Sequence, residues 1–401
     1  MIVDLDLTDP EHVRDPYPVF RALRESSPVH RSEHLGGWLL TRYADVDRAI
    51  RAPVLSVDTI RPFVAARAPH DPDVARLERL APLWAVFNDP PDHTRLRTAL
   101  QHGFTNRHVA ALAGFVTDVA RRLLDGLRGR TDAELVRDLA YPLPAMVIAR
   151  LLGVADADVE RFKAWSDDLG EFITTSTHAD RYARAAGAME EMGDHFAGLV
   201  AARRRAPADD LLTGLVDALD RGVFATEDEL VSNCILLLFA GHETTTNLLT
   251  SGVYHLVRNP DQLQRLRDDP SLAPVTVEEL LRYDNPAHGL TRIAADDLDI
   301  GGVQVSRGDR VFAFVTAANR DPEVFDDPER LDVGRRPNRH LSFGAGIHYC
   351  LGAPLARLEA TIVLPMLLER FADIRLADEP SWKPLLVLRS IEALPVELAP
   401  S

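Results

Sequence analysis

The sequence predicts a mainly α protein with a small β portion. Three observations carry that expectation. Apolar residues recur at i, i+3, i+4 spacing through roughly a dozen segments. Strand-like patterning is confined to two short stretches. The composition, 46% hydrophobic and 26% charged, is that of a globular chain with ample material for a large core. With no Gly/Ser linker, repeat period or low-complexity tract in its 401 residues, the chain is expected to form a single domain over 1–401.

In chain order, the helical spacing covers 11–25, 41–51, 92–102, 106–128, 143–152, 156–172, 179–204, 226–257, 260–268, 275–284 and 351–371. The first strand signal is GWLLT (Gly37–Thr41), which alternates weakly. The second is Asp297–Thr316, which reads as a hairpin with turns at Gly301-Gly302 and Arg307-Gly308. Two stretches read as irregular: 53–91, with seven prolines from Pro53 to Pro91, and 321–342, with Pro322, Pro328 and Pro337 among charges. Irregular stretches of this length are usually functional or plain surface excursions.

The net charge of −16 disfavours non-specific nucleic-acid binding, because phosphates repel such a chain. Only Lys163 and Lys383 are lysines among 45 basic residues, a bias that genomic base composition explains. Cys234 and Cys350 are too few for a disulfide framework and fit a reducing compartment. The N-terminus carries acids and prolines where a signal peptide needs an apolar run. The most apolar stretch, Cys234–Gly241, falls far short of the ~20 residues that span a bilayer. A cytoplasmic protein with no membrane or nucleic-acid partner is expected.

Chemistry concentrates at HLSFGAGIHYCLGAPLA (His340–Ala356). Glycines at 344, 346 and 352 surround Cys350, and Pro354 opens a helical pattern through Leu351, Leu355, Leu358, Ile362 and Met366. A thiol at a helix N-terminus meets unpaired N–H groups and the positive dipole end, which favour the thiolate. The glycines permit φ > 0 or close approach to a ligand. Pro365 predicts a kink or an early end. The thiol's uses stay open at this point: a structural buried thiol, a nucleophile lacking a good His base (His348 is poorly placed), or a haem-iron ligand. A dinucleotide fingerprint fails, since its third glycine position is Tyr349.

A second cluster interrupts an apolar helical run: Gly241, Glu243, Thr244, Thr245 and Thr246 in LLFAGHETTTNLLTS (Leu237–Ser251). Buried hydroxyls and a carboxylate need partners. A zinc-protease reading of His242-Glu243 fails, because Thr246 stands where the second His belongs. A threonine can bond the carbonyl one turn back and open a helix, a glycine leaves room for a ligand, and an acid relays protons. Glu279 and Arg282 lie three apart in EELLRY, a spacing usually found on solvated surfaces. His93 and Arg97 share a helix face after Pro90-Pro91, and Arg292 follows on a strand.

FGAGIHYCLG resembles the haem-binding signature of the cytochrome P-450 family at Phe343, Gly346, Cys350 and Gly352. Ala240, Gly241, His242, Glu243 and Thr244 resemble that family's oxygen-activation motif, with Glu in place of the commoner Asp. The resemblance runs from Arg42 to Leu398 and implies a soluble bacterial haem-thiolate monooxygenase. The implied fold seats heme b (iron protoporphyrin IX) between the long central helix and the helix after the cysteine loop. Cys350 would ligate the iron. Thr244 and Glu243 would handle dioxygen and protons. His93, Arg97, Arg292 and His348 would bind propionates. Glu279 and Arg282 would form a structural lock with Arg335, or with Arg336 as the alternative.

The resemblance further implies electrons from a ferredoxin and its reductase, because the chain has no flavin or iron–sulfur motif. Arg336, Arg339, His340 and Arg357 would form the docking face on a monomer. The implied reaction is hydroxylation or epoxidation of a mid-sized lipophilic substrate, in secondary metabolism by analogy. Pocket walls would come from Leu83, Trp84, Val86, Phe87, Phe172, Ile173, Leu237, Ala240, His288, Leu290 and Val387, within stretches that include 165–185. Asp167 and Asp168 read better as surface residues. A peroxide-driven peroxygenase would dispense with Glu243-Thr244, and a haem-thiolate sensor would need a signalling domain that is not visible.

Overall fold

In the computed structural model, residues 4–6, 8–155, 159–173 and 179–400 are described. Most predicted helices form. The segments expected at 226–257, 260–268 and 275–284 are Glu227–Arg258, Pro260–Asp268 and Ala273–Tyr283. Those at 179–204 and 351–371 are Arg181–Arg205 and Ala353–Arg370. The 156–172 segment is Val159–Ile173, and its first three expected residues lie outside the described ones, as do 174–178 of the 165–185 stretch. Pro365 does not end its helix, which continues for five more residues to Arg370.

The differences have local causes. The 11–25 pattern is two helices, Pro10–Arg14 and Tyr17–Ser26, because Asp15 precedes Pro16 and leaves the helical conformation, with φ −140° and ψ 87°. The 106–128 pattern splits into Asn106–Ala111 and Ala113–Asp125. The stretch 53–91 is not irregular throughout. It holds the helices Ile60–Arg67 and Pro72–Leu77 and two single turns, Ala81–Leu83 and Ala85–Phe87. Pro72 and Pro82 sit in first turns, where a missing N–H costs nothing, and Asp71 caps its helix by accepting from Asp73 and Val74. The stretch 321–342 contains no helix or strand among its described residues, as expected.

The expected hairpin is only its first half. Leu298–Ile300 pairs with Val303–Val305 around Gly301 and Gly302, whose φ values of 59° and 85° require glycine. Arg310–Ala313 instead joins a larger sheet, antiparallel to Leu290–Ala294 and parallel to Gly37–Leu40, which in turn pairs with Val29–Ser32. The two-residue strand Leu55–Ser56 lies at the sheet's edge.

The chain divides into two compact units. One comprises 1–55, 113–143 and 244–401, and the other 56–112 and 144–243. The first is built on the larger sheet. Leu40, Val311 and Ala313 face a cluster with Val46, Ile50, Leu341 and Ala345, while Leu39 and Phe312 face Phe20, Leu23 and Phe314. This alternation is the strand's period of two. A buried carboxylate, Asp284, accepts from Tyr17 Oη (2.6 Å), His255 Nε2 (2.7 Å) and Arg389 Nε (2.9 Å). Arg389 also donates to the carbonyls of Val13 and Arg14, so one centre ties early and late chain together.

In the second unit, residues 80–88 are pinned to the long helix. Ser232 donates to the Leu80 carbonyl, and Asn233 bonds both Leu83 and Ala85 backbone. Trp84 stacks between Phe87 and Phe239. The long helix starts with Glu227, Asp228 and Glu229 and ends with His255 and Arg258, each sign matching its dipole end. Its residues up to Glu243 belong to the second unit and those from Thr244 to the first.

Candidate functional site

The cysteine loop is a shaped turn before a helix. Gly344 and Gly346 hold φ of 68° and 67°, where a side chain would be strained. The Cys350 N–H donates to the Phe343 carbonyl at 2.8 Å, closing the loop. Gly352 caps the helix Ala353–Arg370, so Cys350 lies two residues before the cap. Cys350 is exposed. Cys234 is fully buried, and burial pushes its thiol far above the range in which it ionises. Only Cys350 therefore offers an accessible thiol.

Glu279 and Arg282 are both fully buried. Arg282 donates to both Glu279 oxygens at 2.7 and 2.8 Å, and to the carbonyls of Asn319, Pro328 and Arg330. Arg335, rather than Arg336, donates to Glu279 at 3.0 Å and to the carbonyls of Asp326, Asp327 and Arg330. Asn338 and the Asp332 N–H complete the carboxylate's shell. Every lone pair is used, which is the condition under which a buried ion pair is tolerated. The lock organises the stretch 321–342, which has no secondary structure of its own.

A neighbouring clamp was not legible in the sequence. Arg357, on the helix after the cysteine, donates to both oxygens of Glu278 at 2.7 and 2.9 Å and to Tyr349 Oη at 3.2 Å. Its guanidinium lies 4.4 Å over the Phe343 ring. His340 bonds the same Glu278 at 3.0 Å. Burial alone would raise the Glu278 pKa, but the bonds from Arg357 and His340 outweigh it and hold it at about 2. Arg357 and His340 were expected on a docking face. Instead both are committed to Glu278, because a bidentate fork outcompetes water. Arg336 and Arg339 are exposed. The signal that could have found the clamp is Glu278 directly beside the lock's Glu279.

The long helix is buried over most of its middle but not at Ala240, which is exposed, nor at Gly241, Glu243 and Thr244, which are half-buried. Ala240, Glu243 and Thr244 share one stripe by i, i+3, i+4 spacing. Gly241 has a different cause from the one expected. A Cβ there would come within 2.7 Å of Ile148 Cγ1, so this glycine lets the helix Pro142–Leu151 approach.

The predicted anion-binding residues are distributed. His93 is buried and Arg97 half-buried in the second unit, on the helix Asp92–Leu100. Arg292 is buried on its strand, donating to the Thr291 carbonyl, and His348 is half-buried in the cysteine loop, both in the first unit. Of the expected pocket residues, Val86 is exposed and Phe87, Leu83, Ile173 and Leu290 are partly so. Trp84, Phe172 and Leu237 are core residues of the second unit, with Phe172 against Phe63 and Tyr182.

His288 is spent in the first unit's core. It packs on Phe20 and Phe314, and its Nδ1 lies 3.1 Å from Thr316 Oγ1. Burial, assisted by the nearby Arg389 charge, lowers its pKa to about 3, so it is neutral. Val387 packs against the same Phe20 cluster. Asp167 and Asp168 pair with Lys163 and Arg184.

An accessible thiol ahead of a helix start, together with arginines and histidines that can hold carboxylates, supplies the donor types that a haem needs. Thiolate suits iron, and cations suit its carboxylates. No described helix is long and apolar enough to cross a membrane.

Comparison with known proteins identifies the family. The family model described as Cytochrome P450 matches residues 66–381. The chain is 40% identical to Cytochrome P450 107B1 of Saccharopolyspora erythraea, covering 98% of each. It is 38% identical to the polyketide biosynthesis cytochrome P450 PksS of Bacillus subtilis, covering 97% of each. The crystal structure of CalO2 superposes with a TM-score of 0.93 at 32% identity, covering 100% of both chains. With a family model spanning most of its length and relatives this similar end to end, the chain belongs to the cytochrome P450 family of haem-iron oxidoreductases.

Proposed function

We propose that the chain is a single-domain heme b monooxygenase. It inserts one oxygen atom from O2 into a mid-sized lipophilic substrate, by hydroxylation or epoxidation, in secondary metabolism. The observation that carries this is the acid–alcohol pair Glu243-Thr244, half-buried on one stripe of the long, continuous helix. A peroxide-driven enzyme has no need of that pair. The presence of polyketide enzymes such as PksS among its relatives supports the substrate class.

When bound, the haem supplies the dioxygen and redox chemistry, and the protein positions and tunes it. Cys350 would ligate the iron as a thiolate, with the loop of Phe343, Gly346 and Gly352 holding it. His93, Arg97, Arg292 and His348 hold the propionates. Ala240 would let the long helix lie close to the macrocycle, while Gly241 keeps that helix close to Pro142–Leu151. Thr244 would donate or accept a hydrogen bond where dioxygen reacts, and Glu243 would supply protons there. Glu279, Arg282 and Arg335 keep the loop in place.

Trp84, Val86, Phe87, Phe172, Leu237, Leu290 and Val387 form or back an apolar binding site that excludes water. The enzyme is a cytoplasmic monomer. It takes electrons from a ferredoxin and ferredoxin reductase docked on the exposed Arg336 and Arg339. The test is a carbon monoxide spectrum of the reduced protein, followed by turnover of a spin-shifting compound. A strongly red-shifted Soret band and turnover with O2 and NADPH through ferredoxin are expected. Turnover with hydrogen peroxide alone would overturn the O2-dependent reading.

A further inference from the structure

The late loop 383–390, in the first unit, is bonded on several sides. Arg389 fixes it to the buried Asp284 centre and to the carbonyls of Val13 and Arg14. The Arg389 N–H donates to the Pro286 carbonyl at 2.8 Å, and Leu388 bridges Ala287. The Val387 carbonyl accepts from the N–H groups of His288 and Gly289 at 2.8 and 3.4 Å. The loop and residues 286–289 therefore form one paired element. It carries Val387 and leads directly into Leu290, the first residue of its strand.

Ser390 joins this element to the long helix. It is 2% exposed, and its Oγ donates to Asn247 Oδ1 at 2.9 Å. Asn247 is 1% exposed, and its Nδ2 has no hydrogen-bond partner among the described residues, so the Ser390 hydroxyl is what orients the amide. Asn247 lies three residues after Thr244, on the same stripe and about 4.5 Å further along the axis. Val387 lies three residues before Ser390, a chain span of at most about 11 Å. All four residues belong to the first unit. Apolar packing has no direction, whereas a hydrogen bond has a defined length and angle, and in a buried place no water replaces it. The bond from Ser390 therefore fixes where the paired element sits along the helix.

We propose that Ser390 is a positioning residue that holds Val387 and Leu290 at a set place relative to Thr244, and so determines which atom of a bound substrate faces the oxygen site. This rests on the monooxygenase reading. Ser390 acts through Asn247 on one side and through the chain back to Val387 on the other.

The test reads the shape of the binding site and needs no substrate. Haem-loaded protein is treated with phenyldiazene, whose phenyl group binds the iron. Ferricyanide then drives the phenyl group to whichever of the four porphyrin nitrogens the surrounding residues leave open. The proportions of the four N-phenyl porphyrins, separated by chromatography, report that shape. Ser390→Ala is expected to change the ratio of the two main products at least about 2-fold, the low end of what one buried hydrogen bond is worth. Ser390→Thr keeps the hydroxyl and should restore the wild-type ratio. Ser381→Ala, exposed on the same segment, should leave it unchanged.

Asn247→Ala should reproduce the Ser390→Ala ratio, and the double variant should add nothing to either single change. Asn247→Ala also carries the test should Ser390→Ala fail to load haem. A wild-type ratio in folded, haem-loaded variants that show only a lower unfolding temperature would make the bond merely structural and overturn the proposal. Effects that sum in the double variant would overturn it as well. A wild type lacking the red-shifted carbonyl band would instead overturn the monooxygenase reading.

Discussion

Removing the carboxylate at Glu278 tests whether the clamp on the cysteine loop is structural. Glu278 holds both arms of Arg357 and the ring of His340, and its folded pKa is about 2 against an ordinary 4.5. The side chain is 27% exposed, so solvent screening takes only part of the effect. A depressed acid stabilises the fold above its unfolded pKa, and the contribution is lost as pH falls through the folded value. The ionised form therefore contributes about 3 kcal/mol at pH 7, falling to roughly 1.5 kcal/mol at pH 3 and vanishing below pH ~2.

Glu278→Gln keeps the shape and removes the charge. Denaturant unfolding of wild type and variant at pH 7, 5 and 3 should show a gap of about 2–3 kcal/mol that narrows toward acid. Because Arg357 also touches Phe343 and Tyr349, the variant should convert faster from the red-shifted carbonyl band to the unshifted one. A double-mutant cycle with Arg357→Gln should return a coupling of about 1–3 kcal/mol. A pH-independent gap, or a coupling near zero, would refute the clamp.

Three further outcomes follow from packing and charge. Gly241→Ala gains up to about 1 kcal/mol of helix propensity but meets Ile148, so net destabilisation of about 1–2 kcal/mol is expected by thermal unfolding. A stabilised variant would contradict the close approach. Arg335→Ala should cost about 2–3 kcal/mol and lower haem retention, whereas Arg336→Ala should stay within about 0.5 kcal/mol, because only the former bonds Glu279. Arg339→Glu should slow ferredoxin reduction several-fold at low salt, with the difference shrinking as salt rises. Equal rates at every ionic strength would remove this arginine from the docking face.

Local rules explain which elements were readable. The long helix has continuous spacing and matched charges at its ends, so its bounds were expected to within a residue. The stretch 53–91 looks irregular in sequence because prolines suggest breaks, yet Pro72 and Pro82 sit in first turns. The strand Arg310–Ala313 was placed in a hairpin because adjacent alternating runs look like partners. Its true neighbours are far away in sequence.

The site shows the same division. Spacing by itself placed the thiol before a helix and Glu243-Thr244 within an apolar helical run, because each depends on residues within one or two turns of each other; Glu279 and Arg282, three apart, fit a solvated face equally well, and only the resemblance marked them as a lock. Only the tertiary structure decided that Arg335 and not Arg336 reaches Glu279. It also decided that Gly241 serves helix packing and that His288 is a core residue. Arg357 is a clamp rather than an open docking charge for the same reason. In each case the partner comes from a segment brought close by folding. A guanidinium or imidazole is spent wherever burial leaves it the best-placed acceptor, and no one-dimensional pattern encodes that distance.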